Sequence, residues 1–299
     1  MKTISINNRD LSLSNLDKVL YPSYGLTKLQ ILEYYSRIAP FILPHLNGRA
    51  LTLKRYPHGV DKDFFFEKRC PSYRPDWLET ADVPYGGNKT LTYCLINNLE
   101  TLVWVENLAS IELHVPLAKA RTYSTPDSVV FDLDPGDNAD ILDCAKVAFI
   151  LKDLLDRQKL LSWVKTSGKK GLHVFVPLNS KETSFEQTKI FSRAVAEIMQ
   201  KNYPDLVTAK MDKKLRKGKV FINWSQNDAS KTMVCVYSLR AGELPYVSCP
   251  FTWKELETNS KQKKNEKFQI LYSDAIKRAE KYGDIFGEIL NQKQRLPNT

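Results

Sequence analysis

The run Val129-Val130-Phe131-Asp132-Leu133-Asp134-Pro135-Gly136 constrains this chain more than any other stretch. Its apolar start reads as a buried strand, and Pro135-Gly136 ends it. Side chains alternate across a strand, so Asp132 and Asp134 share one face while Phe131 and Leu133 point the other way into a core. Two carboxylates held side by side repel each other unless a cation sits between them. One reading is a site for Mg²⁺ or Mn²⁺, with phosphates completing the shell, and hence phosphoryl or nucleotidyl transfer. The other is a solvated turn in which Asp134 caps the next segment of chain.

The chain's 299 residues suffice for one large domain or two modest ones. No run of about 18 apolar residues occurs, so nothing is expected to span a membrane. The first ten residues lack the apolar region of a secretory signal. Cys70, Cys94, Cys144, Cys235 and Cys249 are scattered and form no C-x-x-C pair. Neither a zinc site nor a disulfide framework is expected, and a reducing cytoplasm fits. The formal charge of +10 favours a polyanionic partner. Within Lys210–Lys219 six cations accompany one anion. That stretch is either a solvated loop or a contact to a phosphate backbone.

Thr27 is placed to cap a helix over about 28–43, which Pro44 and Gly48 would close. Leu51–Tyr56 alternates like a strand. Phe64, Phe65 and Phe66 form either a strand buried on both sides or a platform on which a base stacks, with at least one ring on the second face. Ile111–Pro116 alternates so that Glu112 and His114 share a face. After the acidic strand come a helix over about 139–158, a strand at Trp163–Thr166 and the turn Thr166-Ser167-Gly168-Lys169-Lys170-Gly171 leading to His173. Small residues there would let backbone N–H groups approach phosphates, although the turn is not a Walker A loop. Next come a helix over about 184–201, a strand at Val220–Asn223, a strand at Met233–Arg240 and a helix near 272–290. The central order strand–helix–strand–strand–helix–strand–strand predicts an α+β sheet with helices on one face.

Taken together, Phe-Asp-Leu-Asp-Pro-Gly, Thr-Ser-Gly-x-Lys-Gly-Leu-His-Val, Val-Phe-Ile-x-Trp-Ser-Gln-Asn, then Lys-Thr and Tyr-Ser-Leu-Arg-Ala closely resemble one family. It is the polymerase domain of the bacterial non-homologous end-joining ligase, within the archaeo-eukaryotic primase superfamily. Asn15–Pro22, Leu53–Pro57, Phe65–Lys68 and Leu113–Pro116 extend the resemblance over nearly the whole chain. It implies a primase-polymerase, RRM-like catalytic sheet in a core of about 121–250. An N-terminal α/β lobe of about 1–120 would pack on that core, and a helical tail would occupy about 251–299.

By the same resemblance the chain is a template-directed nucleotidyltransferase that extends 3′ ends and fills gaps at double-strand breaks. Asp132 and Asp134 would bind two catalytic divalent ions, Mn²⁺ or Mg²⁺. Ser167, Lys170, His173, Arg240 and His114 match nucleotide and triphosphate contacts, with Gln226 and Lys231 nearby. Lys18 and Lys28 match lysines that grip the 5′-phosphate across the gap, and Phe65 and Phe66 match rings that stack on the template. Gapped or broken DNA, an NTP or dNTP, a Ku-like end-binding protein and a DNA ligase are the implied partners. Asn223 departs from the pattern, standing where the family has a third metal carboxylate. Its neutral oxygen implies weaker metal binding and slower chemistry, with DNA and nucleotide binding kept. Two other readings stay open: a non-catalytic module that bridges DNA ends, and a sugar-nucleotide transferase using the D-x-D pair.

Overall fold

The computed structural model describes residues 2–86, 88–180 and 182–297. In chain order the elements are β1 (Lys2–Ile6), β2 (Arg9–Leu13), β3 (Val19–Tyr21), β4 (Leu26–Thr27), α1 (Lys28–Leu46), β5 (Thr52–Arg55), β6 (Phe65–Glu67), β7 (Thr80–Pro84), β8 (Thr90–Cys94), α2 (Leu99–Asn107) and β9 (Glu112–Val115). Next are β10 (Ser128–Pro135), α3 (Ile141–Arg157), β11 (Trp163–Thr166), β12 (Leu172–Pro177), α4 (Phe185–Asn202), β13 (Val207–Thr208) and β14 (Val220–Asn223). The last are β15 (Met233–Val234), β16 (Pro250–Phe251), α5 (Trp253–Lys261) and α6 (Tyr272–Tyr282). Contacts divide the chain into two units. The first comprises the chain up to Arg121, Thr232–Ser248 and Leu271–Asp284; the second comprises Thr122–Lys231, Cys249–Ile270 and the chain from Ile285. The expected contiguous stretches are thus interleaved rather than end to end.

In the second unit a six-stranded sheet runs β13-β14-β10-β12-β11-β16. The acidic strand β10 is central, antiparallel to both β12 and β14. Val129, Val130, Phe131 and Leu133 are fully buried. Phe131 packs against Phe191 of α4, and Cys144 of α3 lies under Leu133 O. The helices therefore cover the Phe131/Leu133 face, and Asp132 and Asp134 project from the opposite face. Asp140 caps α3 and Ser184 caps α4, each in a reciprocal capping box.

In the first unit a four-stranded sheet runs β15-β9-β5-β6, accompanied by the β1-β2, β3-β4 and β7-β8 hairpins. Thr27 caps α1 in a capping box with Gln30, as its position predicts. The helix nevertheless runs on through Pro40 and Pro44 to Leu46. Each proline forfeits one backbone bond, yet Ile38, Ala39, Ile42 and Leu46 stay buried, and that burial carries the helix past them. The strand expected over Met233–Arg240 shrinks to two residues. β15 pairs with β9 rather than with the second unit's sheet, and Tyr237 turns the chain at φ 64°. Tyr34 and Tyr35 hold this segment, through Tyr34 OH donating to Tyr237 O at 2.6 Å and Leu239 N donating to Tyr35 OH at 3.1 Å.

One cysteine expectation is overturned. Cys70 and Cys94 form a disulfide with Cα atoms 4.9 Å apart. The bond from Cys70 N to Thr92 O at 2.8 Å lays the segment after β6 beside β8, bringing together two cysteines 24 residues apart. No helix among the described residues is long and apolar enough to cross a membrane.

Candidate active site

The register of the second unit's sheet makes one polar row across four strands. Lys165 on β11 pairs with His173 on β12, His173 with Asp132 on β10, and Asp132 with Asn223 on β14. Lys165 is 1% exposed, and its Nζ lies 2.9 Å from His173 Nδ1. The other ring nitrogen of His173, Nε2, faces Asp132 Oδ1 at 3.3 Å. Asn223 Nδ2 and Gln226 Nε2 donate to Asp132 Oδ2 at 3.2 and 3.3 Å. Burial by itself would raise the Asp132 pKa. The bonds from His173, then Gln226 and Asn223, outweigh it and hold the carboxyl below its ordinary value, as an anion.

Asn223 is fixed at both ends, because Ser225 Oγ donates to its Oδ1 at 2.7 Å. Its amide thus gives a hydrogen to Asp132, where an aspartate would give a second negative charge. Gln226 Oε1 is buried with no hydrogen-bond partner. An orphaned oxygen beside an anionic carboxylate, with Asp134 two residues on, is a donor set that suits a hard divalent cation. No cluster of three or more His, Cys, Asp or Glu arranged for a metal occurs among the described residues. The set fits a divalent cation whose shell phosphate oxygens complete.

The turn before His173 differs from its sequence reading. Ser167 Oγ accepts from Lys169 N at 3.2 Å and from Gly171 N at 3.1 Å, so those two N–H groups serve the turn itself. Lys169 and Lys170 stay exposed. Gly171 is demanded by close approach, since a Cβ there would lie 2.3 Å from Leu133 O. At the other end of β10, a Cβ on Gly136 would lie 1.9 Å from Arg216 O. Gly218 N donates to Asp137 O at 2.6 Å, which anchors the basic loop to the acidic strand. Lys213, Lys214 and Lys217 of that loop are exposed, whereas Arg216 stacks 3.7 Å over Phe221. Lys231 is exposed beyond the Asp228 turn.

His114 and Arg240 belong to the first unit, and both bind Glu112. Glu112 Oε2 meets His114 Nε2 at 2.9 Å and Arg240 Nη1 at 3.2 Å. Glu112 Oε1 accepts from Tyr56 OH at 3.3 Å and Ala241 N at 3.1 Å, with Lys54 Nζ 3.7 Å away. Burial would raise this carboxyl, but His114, Arg240 and Lys54 bring it down to about 2. Burial leads the opposite effect on His114, whose pKa falls. Lys54 lies 3.9 Å over Phe64 and 5.7 Å from the Phe66 ring. Sequence reasoning noted that Glu112 and His114 share a face but missed Glu112 as the shared counter-ion. It also missed Lys165, whose one signal is a cation inside the apolar Trp-Val-Lys-Thr strand.

Phe65 and Phe66 are both exposed and point to opposite faces of β6. Phe66 pairs with Lys54 and meets His114 edge-on at 6.2 Å, whereas Phe65 pairs with Arg55. Arg55 sits 5.0 Å from the Phe65 ring and binds Glu67 at 2.9 Å. The β3-β4 hairpin brings Lys18 and Lys28 together, with Lys28 N donating to Lys18 O. Lys28 Nζ donates to Ser14 O at 2.6 Å, and burial, then Lys18 and Arg55, lowers its pKa to about 8.

The profile of one family, described as the LigD primase-polymerase domain, matches residues 27–286. The chain belongs to the LigD primase-polymerase family. It is 39% identical over 279 residues to the multifunctional non-homologous end joining protein LigD of Mycolicibacterium smegmatis, covering 93% of this chain and 36% of that protein. It is 33% identical over 249 residues to the bifunctional LigD of Bacillus subtilis, covering 83% of this chain and 40% of that one. The chain thus spans little more than a third of the curated relatives it matches. Among solved structures, the polymerase domain of Mycobacterium tuberculosis Ligase D in complex with DNA aligns with a TM-score of 0.86 at 36% identity. That alignment covers 95% of this chain and 99% of that domain. The mixed helix-and-sheet architecture expected from the sequence is that of the LigD polymerase domain.

Proposed function

We propose that this chain transfers nucleotides to the 3′ end of a primer at gapped or broken DNA, directed by a template, during non-homologous end joining. One observation carries the reading: Asp132, buried in the central strand, is kept anionic by His173, Gln226 and Asn223, with Asp134 on the same face. Asp132 and Asp134 would hold a divalent cation, Mn²⁺ or Mg²⁺, together with the triphosphate oxygens. When bound, that cation supplies Lewis-acid charge to the attacking hydroxyl and the leaving pyrophosphate.

The chain's own residues do the rest by position. His173, fixed by Lys165, directs its Nε2 at Asp132. Ser167 shapes the turn that presents Lys170 to phosphates. Arg240 and His114, sharing Glu112, offer one guanidinium and one imidazole to the nucleotide. Lys18 and Lys28 receive the 5′-phosphate, and Phe65 and Phe66 stack on the template. A Ku-like end-binding protein and a ligase are the expected partners.

The amide that Asn223 turns toward Asp132 favours a second reading, a module that binds and bridges DNA ends without chemistry. Primer extension on a 5′-phosphorylated gap with Mn²⁺ separates the two. We expect slow extension by the wild type and a rise of at least about tenfold in Asn223→Asp. Tight gap binding with no extension by either protein would leave the bridging module.

A further inference from the structure

We propose that Asp284 is a positioning residue for the incoming nucleotide: it grips Tyr237 in a left-handed turn, and that turn sets the guanidinium of Arg240. The inference rests on the nucleotide contact proposed for Arg240. Every residue it uses belongs to the first unit.

The turn decides where Arg240 lands. β15 pairs Met233 with Val115 and Val234 with His114, and Cys235 N donates to Leu113 O at 2.8 Å. Continued in that register, the ladder would set Arg240 opposite Leu108, about 13 Å along the strand direction from Glu112. Tyr237 breaks the ladder instead. At φ 64° it occupies a region that a bulky L residue rarely adopts. Beyond it the chain doubles back, and Arg240 Nη1 stands 3.2 Å from Glu112 Oε2.

So unfavourable a conformation persists only where the surroundings impose it. Tyr237 is 2% exposed. Tyr34 OH donates to its O at 2.6 Å, its N donates to Ser248 O at 2.8 Å, and its own OH donates to Asp284 Oδ1 at 2.9 Å. Asp284 Oδ2 lies 2.7 Å from His45 Nε2, which ties the carboxylate back to α1. The backbone after the turn is held as firmly. Leu239 N donates to Tyr35 OH, Arg240 N donates to Tyr246 O at 2.9 Å, and Tyr21 OH donates to Arg240 O at 3.0 Å. One donor of the guanidinium is left over. Among the described residues, Arg240 Nε is buried with no hydrogen-bond partner. A phosphate oxygen would satisfy it.

The test is isothermal titration calorimetry of ATP, with Mn²⁺, into the full chain bound to a 5′-phosphorylated gap. The gap offers a templating thymine and a 3′-deoxy primer end, so binding is read without chemistry. We expect Arg240→Ala to weaken ATP binding at least about tenfold. Tyr237→Phe removes one hydroxyl and keeps the ring against Phe41. That variant and Asp284→Ala should each weaken ATP binding about fivefold. With Arg240→Ala already present, neither should weaken it further, and both should keep the affinity for the gap itself. A clasp that serves stability alone would lower gap affinity together with ATP affinity, or would add its loss to that of Arg240→Ala, and either result overturns the proposal. So does a Tyr237→Phe variant with wild-type ATP affinity, which keeps the test decisive should Asp284→Ala fail to fold. ATP that binds the wild type and Arg240→Ala alike, or binds neither, defeats the nucleotide contact of Arg240 and the proposal with it.

Discussion

Lys28 sits 4% exposed with its ammonium donating to Ser14 O, and its charge is less secure than that of a surface lysine. Burial and the neighbouring Lys18 and Arg55 bring its pKa down to about 8. A phosphate held by Lys28 requires the protonated form, and binding it raises the pKa again. The preference for a 5′-phosphorylated over an unphosphorylated gap should therefore be full near pH 6.5 and weaken as pH rises through about 8. Titrating gap affinity across that range checks it, and a preference constant from pH 6.5 to 9 would refute it. The row Lys165–His173–Asp132–Asn223 shows what a residue-level reading of the sequence reaches. Alternation alone put Asp132 and Asp134 on one face. That His173 stands opposite Asp132, with Lys165 behind it, depends on strand register over 8 and 41 residues of chain, which no local pattern encodes.

At the scale of elements, Gly171 couples the lysine turn to the acidic strand. A methyl group there would meet Leu133 O at 2.3 Å, and that carbonyl belongs to a central strand that cannot yield. Gly171→Ala should cost about 1–3 kcal/mol in urea unfolding. It should also depress primer extension beyond what stability explains, because Asp134 follows the same carbonyl. An unchanged denaturation midpoint would show that the turn does not bear on β10. Elements with long apolar periodicity were legible in the sequence: α1, α3 and α4 stand close to where their spacing puts them. The stretch Met233–Arg240 was not, because its apolar residues are buried by α1's tyrosines in a bent path rather than by a ladder. The Cys70–Cys94 bond was invisible for a similar reason: two cysteines in different elements carry no spacing signal.

For the whole molecule, the interleaving of the two units sets what can be cut away. The first unit draws on Thr232–Ser248 for β15, for the Tyr237 and Leu239 partners of its buried tyrosines, and for the Arg240 partner of Glu112. A fragment ending at Lys231 loses all of them, leaving Glu112 buried with fewer cations. Such a fragment should lack a cooperative thermal transition by circular dichroism, and a sharp melt near that of the full chain would contradict the division. The backbone passes between the units after Arg121, Lys231, Ser248, Ile270 and Asp284. A protease that severs one of these passages makes two polypeptides, yet at least one unit is then built from both, so packing alone holds the nicked molecule together. Neither half can be lifted out as a cassette by one cut at each end, whether by an enzyme on the bench or by recombination in a genome.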